Sequence, residues 1–137
     1  MNEDVIIREI LQHKKGIFIL DGPSGCGKSR LVRKIAEQVD DVKIISIEKV
    51  GIELNKHLSE RKSMESIVDL FKCKILCIED VDLETGKAMR QWSLADMANK
   101  IADKSIVIFN GIHIEERVPE LVSHLQHPQI IYMTKGN

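Results

Sequence analysis

The sequence predicts an α/β fold in which a parallel sheet of five strands is covered by helices on both faces. Short apolar runs alternate with segments of helical periodicity along all 137 residues. The run Lys74–Ile78 is continuously apolar after its first residue, which is typical of a strand buried on both faces. Regular alternation of strand and helix favours right-handed crossovers and a parallel sheet. The length fits one domain spanning residues 1–137.

The five predicted strands are the apolar runs between the helical segments, namely Gly16–Leu20, Val42–Ile47, Lys74–Ile78, Ile106–Phe109 and Ile130–Met133. Helices are expected where apolar residues recur three or four apart, at residues 5–11, 31–39, 48–72 with a break near Ser63, and 114–125. Another long helix is expected to start soon after Gly86 and to include Leu94 and Ile101. Ser63 is suited to cap the helix that follows the break.

Composition and charge exclude several classes of protein. The chain is 43% hydrophobic and 30% charged with a net charge of −1, which is typical of a globular protein and gives no polyanion-binding signal. No apolar run approaches the ~20 residues of a membrane span, and the acidic start of the chain does not fit a signal peptide. Three cysteines are too few for a disulfide framework, so we expect a cytoplasmic protein.

A phosphate-binding loop (P-loop) lies between the first predicted strand and the next helix. Residues 22–29 read G-P-S-G-C-G-K-S and match the pattern G-x-x-x-x-G-K-[ST]. Glycines let successive N–H groups point at phosphate, and the helix adds its positive N-terminal end. Lys28 is expected to reach the β- and γ-phosphates, and the Ser29 hydroxyl to bind Mg²⁺. The predicted nucleotide-binding residues are Gly22, Pro23, Ser24, Gly25, Cys26, Gly27, Lys28, Ser29 and Arg30.

Polar residues follow two further strands at the edge where a parallel sheet binds ligands. The third strand is followed by Glu79 and Asp80, which predicts one carboxylate for the metal and one for an attacking water. The alternative is that this pair begins a solvated loop together with Asp82 and Glu84. The fourth strand ends at Asn110, whose amide can bind the γ-phosphate or the water, although an ordinary Asn-Gly turn explains it equally well.

These residues resemble the AAA+ ATPases, and among them the bacterial replication initiator DnaA. The stretch I-L-C-I-E-D-V-D at 75–82 is similar to their second nucleotide motif, and V-K-I-I-S-I-E at 42–48 to their second strand. Gly86-Lys87, Gln91 and Asn99 fit a further pattern of that family. The resemblance implies an AAA+ type P-loop NTPase fold in three layers, with ATP (or ADP) and Mg²⁺ as cofactors.

By the same resemblance, Ser29, Glu79 and Asp80 serve the metal, and Glu79, Asp80 and Asn110 are the catalytic residues. Asn110 becomes a γ-phosphate sensor, with Gly111 as the alternative register. Proteins of this kind act as ATP-switched oligomers on DNA or on replication partners. The implied partners are therefore nucleotide, replication proteins, further copies of the chain and, weakly, single-stranded DNA, with no membrane.

Departures from the family predict weak or absent hydrolysis. Glu79 stands where relatives usually carry Asp, and His124 where they carry an arginine that enters the neighbour's site. A mostly neutral histidine cannot supply that permanent charge, and Arg117 is a candidate displaced substitute. The family's base-clasping segment, helical lid and DNA-reading domain are also expected to be missing. Without the base-clasping segment, the sequence does not decide whether the nucleotide is ATP or GTP.

Three functions remain in competition at this point. The leading one is an ATP-binding, DnaA-like accessory or regulator of replication initiation. A P-loop kinase acting on a small molecule or nucleotide is the second, and a docking module that does not hydrolyse nucleotide is the third. A basic cluster (Lys49, Lys56, His57, Arg61, Lys62) fits either a single-stranded DNA contact or a solvated helix face.

Overall fold

The computed structural model describes residues 2–84 and 88–135. Its five strands form one parallel sheet in the order β2-β3-β4-β1-β5. They are β1 (Gly16–Asp21), β2 (Val42–Ser46), β3 (Ile75–Glu79), β4 (Ile106–Gly111) and β5 (Gln129–Tyr132). The predicted α/β class and the five-stranded parallel sheet are therefore confirmed.

Seven helices lie before and between the strands in the described part of the chain. They are α1 (Glu3–Leu11), α2 (Lys28–Gln38), α3 (Ile47–Ser59), α4 (Met64–Leu70), α5 (Ala88–Ala102), α6 (Ile114–Arg117) and α7 (Pro119–His124). A short 3-10 turn, Val81–Leu83, follows β3. No helix among residues 2–84 and 88–135 is long and apolar enough to cross a membrane.

Two hydrophobic layers cover the sheet, one on each face. Alternate residues of β1 enter different layers: Ile17 and Ile19 pack with α3, α4, α5 and α7, whereas Phe18 and Leu20 pack with α1 and α2. This alternation follows from the period of two in a strand. Because both faces are covered, β1 is buried along nearly its whole length, and the loop after it has a rigid base.

The helix expected at residues 114–125 is instead two short helices. Pro119 lies at the first position of α7, where its missing N–H costs nothing, but it cannot continue α6. Val118, the residue before the proline, has φ −130° and ψ 60°, outside the helical region. The sequence interpretation was wrong here because the apolar spacing continues across the proline.

Smaller differences concern the ends of elements. Ser63 does precede α4, but its hydroxyl lies 3.3 Å from that of Ser66 and makes no capping bond to the backbone. Ile47 begins α3 instead of ending β2, and Ser46 caps that helix by accepting a bond from the Lys49 N–H. Gly86 and Lys87, which belonged to the family pattern, lie outside the described residues.

Candidate functional site

The phosphate loop forms the turn between β1 and α2, as the sequence predicts. Gly27 precedes the helix with φ 99°, a left-handed conformation that side chains other than glycine rarely adopt. The chain can therefore turn sharply and start α2 at Lys28 with its first N–H groups facing the loop. A glycine-rich turn that leads into a helix N-terminus is an arrangement able to bind an anion.

Lys28 is anchored across the mouth of the loop. Its ammonium group donates to the carbonyl oxygens of Gly22 and, over 3.0 Å, of Pro23. The sulfur of Cys26 lies 3.7 Å from the same Nζ. The positive charge is thus held above the inner side of the loop, where a phosphate bound by the backbone N–H groups would lie.

Ser29 and Glu79 join the two predicted motifs. The Ser29 hydroxyl donates to Oε2 of Glu79 over 2.9 Å, although fifty residues separate them in the chain. Ser29 belongs to the first turn of α2 and Glu79 to the last position of β3. The hydroxyl and the carboxylate are hard oxygen donors of the kind that Mg²⁺ takes in nucleotide sites.

Asp80 and Asn110 form a second connection beside the first. The Asp80 N–H donates to Oδ1 of Asn110 over 3.0 Å, and Asp80 has a left-handed backbone with φ 59°. Asn110 is only 2% exposed, and its Nδ2 lies 4.0 Å from the sulfur of Cys77. Burial raises the pKa of the Cys77 thiol, so this sulfur stays protonated and uncharged beside the amide.

An open cleft of about 450 Å³ lies between the loop and the ends of β3 and β4. It is lined by Ser24, Gly25, Cys26, Gly27, Lys28, Ser29, Arg30, Asp80, Asn110 and Ile112. Most of the residues predicted from the sequence therefore come together around one cavity. Of the remainder, Glu79 reaches it through Ser29, and Gly22 and Pro23 form the start of the loop.

Asp82 and Glu84 do not belong to a solvated loop, because both side chains are buried. Asp82 accepts bonds from the Ile112 N–H and from Arg117, each over 3.1 Å. Glu84 pairs with Arg90 over 3.2 Å. That alternative for the acidic stretch is wrong for these two residues, whereas Asp80 is exposed at the cleft.

Arg117, the candidate substitute for the family's arginine, and His124, which stands at the position of that arginine, both lie away from the cleft lining. Arg117 is bonded to Asp82 of the same chain. The His124 ring packs 5.2 Å from that of Trp92, and its Nδ1 lies 2.8 Å from the Glu120 carbonyl oxygen. Among the described residues that line the cleft, the cationic side chains are Lys28 and Arg30.

Asp21 is a structural residue of the site that sequence reasoning missed. It ends β1, directly before the loop, and its carboxylate oxygens accept bonds from the backbone N–H groups of His113 and Ile114, each over 3.0 Å. The side chain is buried, and these bonds tie β1 to the start of α6. A polar residue at the carboxyl end of an otherwise apolar strand was the available signal.

The segment after β5 also borders the loop and was not predicted. The Met133 N–H donates to the Asp21 carbonyl oxygen over 2.7 Å, and a Cβ at Gly22 would lie 2.6 Å from the Met133 carbonyl oxygen. Gly22 is therefore required by close approach of two backbones. Farther along, Cε of Lys135 lies 3.7 Å from the place a Cβ at Gly25 would take.

Only some residues of the predicted basic cluster lie at the protein surface. Lys49, Lys56, Arg61 and Lys62 are exposed, as both readings of the cluster require. His57 is buried and its Nδ1 lies 2.8 Å from the Glu53 carbonyl oxygen, so it does not contribute to that face.

Solved structures with the same architecture include DnaA proteins. Domain III of DnaA from Thermotoga maritima is 26% identical, with a TM-score of 0.72 over 94% of this chain and 60% of its own. AMPPCP-bound DnaA from Aquifex aeolicus is 18% identical, with a TM-score of 0.70 over 93% of this chain and 44% of its own. A DnaA structure with AMPPCP and single-stranded DNA is 20% identical, with a TM-score of 0.67 over 96% of this chain and 44% of its own.

This chain therefore spans from less than half to about 60% of the length of those proteins. No curated protein matches it in sequence. Residues 18–122, more than half of the chain, match the family described as "ATPase family associated with various cellular activities (AAA)". That match extends from β1 to α7 and includes the phosphate loop, Glu79, Asp80 and Asn110. The chain belongs to this AAA family of ATPases.

Proposed function

We propose that this chain is a DnaA-like, ATP-binding AAA+ domain that takes part in the initiation of DNA replication as an accessory or regulator. The observation that carries the nucleotide site is the 2.9 Å contact between Ser29 and Glu79 at the mouth of the phosphate loop. A hydroxyl and a carboxylate in contact beside the loop support a site for the metal of a bound triphosphate. The bound group would be held by the loop N–H groups and Lys28.

Mg²⁺ fits the oxygen donors that Ser29 and Glu79 provide. The described residues contain no cluster of three or more His, Cys, Asp or Glu side chains able to hold a metal alone. A magnesium ion bound through Ser29, Glu79 and phosphate oxygens needs no such cluster, because Mg²⁺ is usually held by one or two protein ligands together with phosphates and water. Bound there, it would neutralise charge on the phosphates.

Calorimetric titration with ATP, ADP and a non-hydrolysable ATP analogue, each with Mg²⁺, tests the nucleotide site. We expect micromolar binding that Lys28→Ala abolishes, because the loop then loses its positive charge. Lys104→Ala is the matched control, since Lys104 is exposed before β4, at the opposite end of the sheet from the loop. Absence of binding by the unmodified protein would rule out the proposal and leave a docking module that does not use nucleotide.

Hydrolysis is proposed to be slow or absent in the isolated chain. Asp80 presents an exposed carboxylate able to orient a water, and Asn110 holds the Asp80 peptide in place. Among the described residues that line the cleft, however, the arginine is Arg30, which is paired with Glu3, and the candidate Arg117 is paired with Asp82. A supplied arginine is worth about 10³–10⁵ in rate in GTPases, so its loss predicts slow turnover.

A role in replication rests on the similarity to DnaA and on the exposed basic cluster. We expect weak, salt-sensitive binding of single-stranded DNA through Lys49, Lys56, Arg61 and Lys62. Fluorescence anisotropy with a labelled oligothymidine, with and without ATP, measures it. The triple variant Lys49→Glu, Lys56→Glu, Arg61→Glu should lose binding, whereas Lys14→Glu, Lys15→Glu, Lys104→Glu should retain it. Equal loss in both triple variants would contradict this role.

A small-molecule kinase is the second candidate because another cleft adjoins the first. It has a volume of about 580 Å³ and shares Asp80 with the nucleotide cleft. Ser46, Glu48, Asn55, Glu84 and Arg90 also line it. A kinase acceptor would need to lie in such a position, beside the γ-phosphate. Release of ADP that depends on an added nucleotide or small-molecule acceptor would favour this candidate over the first.

A further inference from the structure

We propose that Lys135 is a second phosphate-binding cation of this site, supplied by the segment after β5 and not by the phosphate loop itself. The inference rests on the proposed nucleotide site and adds a residue to it. Neither the loop pattern nor the acidic strand end assigns any role to this lysine.

The position of Lys135 follows from how β5 pairs with β1. Tyr132 is in register with Asp21, and the Met133 N–H donates to the Asp21 carbonyl oxygen over 2.7 Å. The chain after Met133 must therefore run alongside the beginning of the loop. The Tyr132 hydroxyl also donates to Glu115, which fixes the end of the strand from the other side.

The side chain of Lys135 reaches the tip of the loop. Its Cε lies 3.7 Å from the point where a Cβ at Gly25 would be, and Gly25 lines the nucleotide cleft. The ammonium group is one bond farther along a flexible stem, so rotation of that stem moves it over the cleft without moving the backbone.

The charge of Lys135 has no acidic partner in the part of the chain that the structure describes. Among the described residues, no carboxylate lies within ion-pair distance of it, and the side chain is exposed. Arg30 differs, because its guanidinium is paired with Glu3 over 3.1 Å. Lys135 therefore joins Lys28 as a cation beside the loop that no described carboxylate pairs with, and it can pair with a phosphate oxygen.

An exposed cation near a polyphosphate contributes modestly and through long-range attraction. We expect Lys135→Gln to raise the Kd for Mg²⁺-ATP by about twofold to fivefold at low salt. Because exposed charges are screened, the difference should shrink at high salt. Lys135→Arg keeps the charge and should bind ATP as the unmodified protein does.

Calorimetry of four proteins tests the proposal: unmodified, Lys135→Gln, Lys135→Arg and Lys104→Gln. Thermal unfolding without nucleotide should be the same in all four, which excludes a change in folding. A selective, salt-dependent loss of affinity in Lys135→Gln supports the assignment.

Unchanged ATP affinity in Lys135→Gln, or an equal loss in Lys104→Gln, overturns it. A difference that persists undiminished at high salt, or that Lys135→Arg shares, also overturns it, because neither fits a charge acting through solvent. If Lys28→Ala still abolishes binding in these cases, the proposed nucleotide site stands and only Lys135 is excluded. No binding by the unmodified protein would overturn both together.

Discussion

Ser29 donates its hydroxyl hydrogen to Glu79, and so the first turn of α2 is bonded to the last residue of β3. The contact joins the phosphate loop to the acidic strand end without any group between them. Glutamate is long enough to reach the hydroxyl from the end of its strand. If both oxygens bound a metal ion, this hydrogen bond would be lost, because the hydroxyl hydrogen would have to turn away from the carboxylate.

Replacing Ser29 by alanine should remove most of the effect of Mg²⁺ on ATP affinity. The variant keeps the loop backbone and Lys28, so binding of metal-free ATP should change little. Titration of ATP with Mg²⁺ and with EDTA measures the difference. Ser93→Ala is the control, since that hydroxyl bonds only to the Met89 carbonyl oxygen of its own helix. Equal dependence on Mg²⁺ in Ser29→Ala and the unmodified protein would contradict the metal role.

Asn110→Ala should destabilise the protein by about 1–3 kcal/mol, because it leaves the Asp80 N–H without its acceptor. It should also lower any ATP turnover by more than it lowers ATP affinity. Urea unfolding and a turnover assay check the two parts separately. Asn55→Ala, at an exposed position of α3, should stay within about 0.5 kcal/mol of the unmodified protein.

Gly22→Ala should both destabilise the fold and weaken nucleotide binding. Its Cβ would lie 2.6 Å from the Met133 carbonyl oxygen and 2.8 Å from the Cys26 sulfur, so backbone must move. Overpacking of this kind typically costs about 1–3 kcal/mol. Thermal unfolding and ATP titration measure the two effects. Gly16→Ala is the control for steric overlap, because a Cβ at Gly16 meets nothing within 4 Å. Its φ of 124° adds backbone strain, so this variant measures strain without overlap.

Arg117→Ala should lower the free energy of unfolding by about 1–2 kcal/mol, because it removes the cationic partner of the buried Asp82 carboxylate. The loss is smaller than for a fully buried pair since Arg117 itself is half exposed. Chemical unfolding measures it. The opposite result would be unchanged stability and a loss of ATP turnover when Arg117→Ala is mixed with the unmodified protein. In that case Arg117 would be acting on the nucleotide site of a second copy of the chain.

The pairing of Glu3 with Lys34 and Arg30 predicts a small loss of stability in acid. Hydrogen bonding to Lys34 holds the pKa of Glu3 below its usual range. A lowered folded-state pKa gives stability that is complete above the unfolded pKa and is lost as pH falls through the folded one. Because the pair is partly solvated, it contributes about 0.5 kcal/mol. Unfolding of Glu3→Gln across the acid range should show a weaker pH dependence than the unmodified protein.

Much of the fold was predictable because its three central strands, β1, β3 and β4, are buried on both faces. Continuous apolar runs such as 75–78 leave little choice of secondary structure, and the alternation with helices then determines a parallel sheet. The end of the helix at Arg117 was not predicted, because apolar spacing continues through Pro119. In that case a single residue without an N–H had more effect than the periodic pattern.

The candidate site also contains some residues that the sequence predicts and others that it does not. The loop residues and the acidic strand end carry local patterns, and Ser29, Asp80 and Asn110 do meet around one cleft. Asp82 has the same local sequence character as Asp80, yet it is buried and paired with Arg117. Lys135 has no local signal at all, because its approach to the loop arises from the pairing of β5 with β1.

The position of β1 in the sheet affects the order in which parts of the protein can fold during synthesis. Its two neighbours, β4 and β5, both come from the second half of the chain. During synthesis, the strand that carries the loop has no partner until these later strands have left the ribosome, and such long-range pairing is slow. The loop therefore acquires its fixed shape late, and an incomplete chain should fail to hold nucleotide.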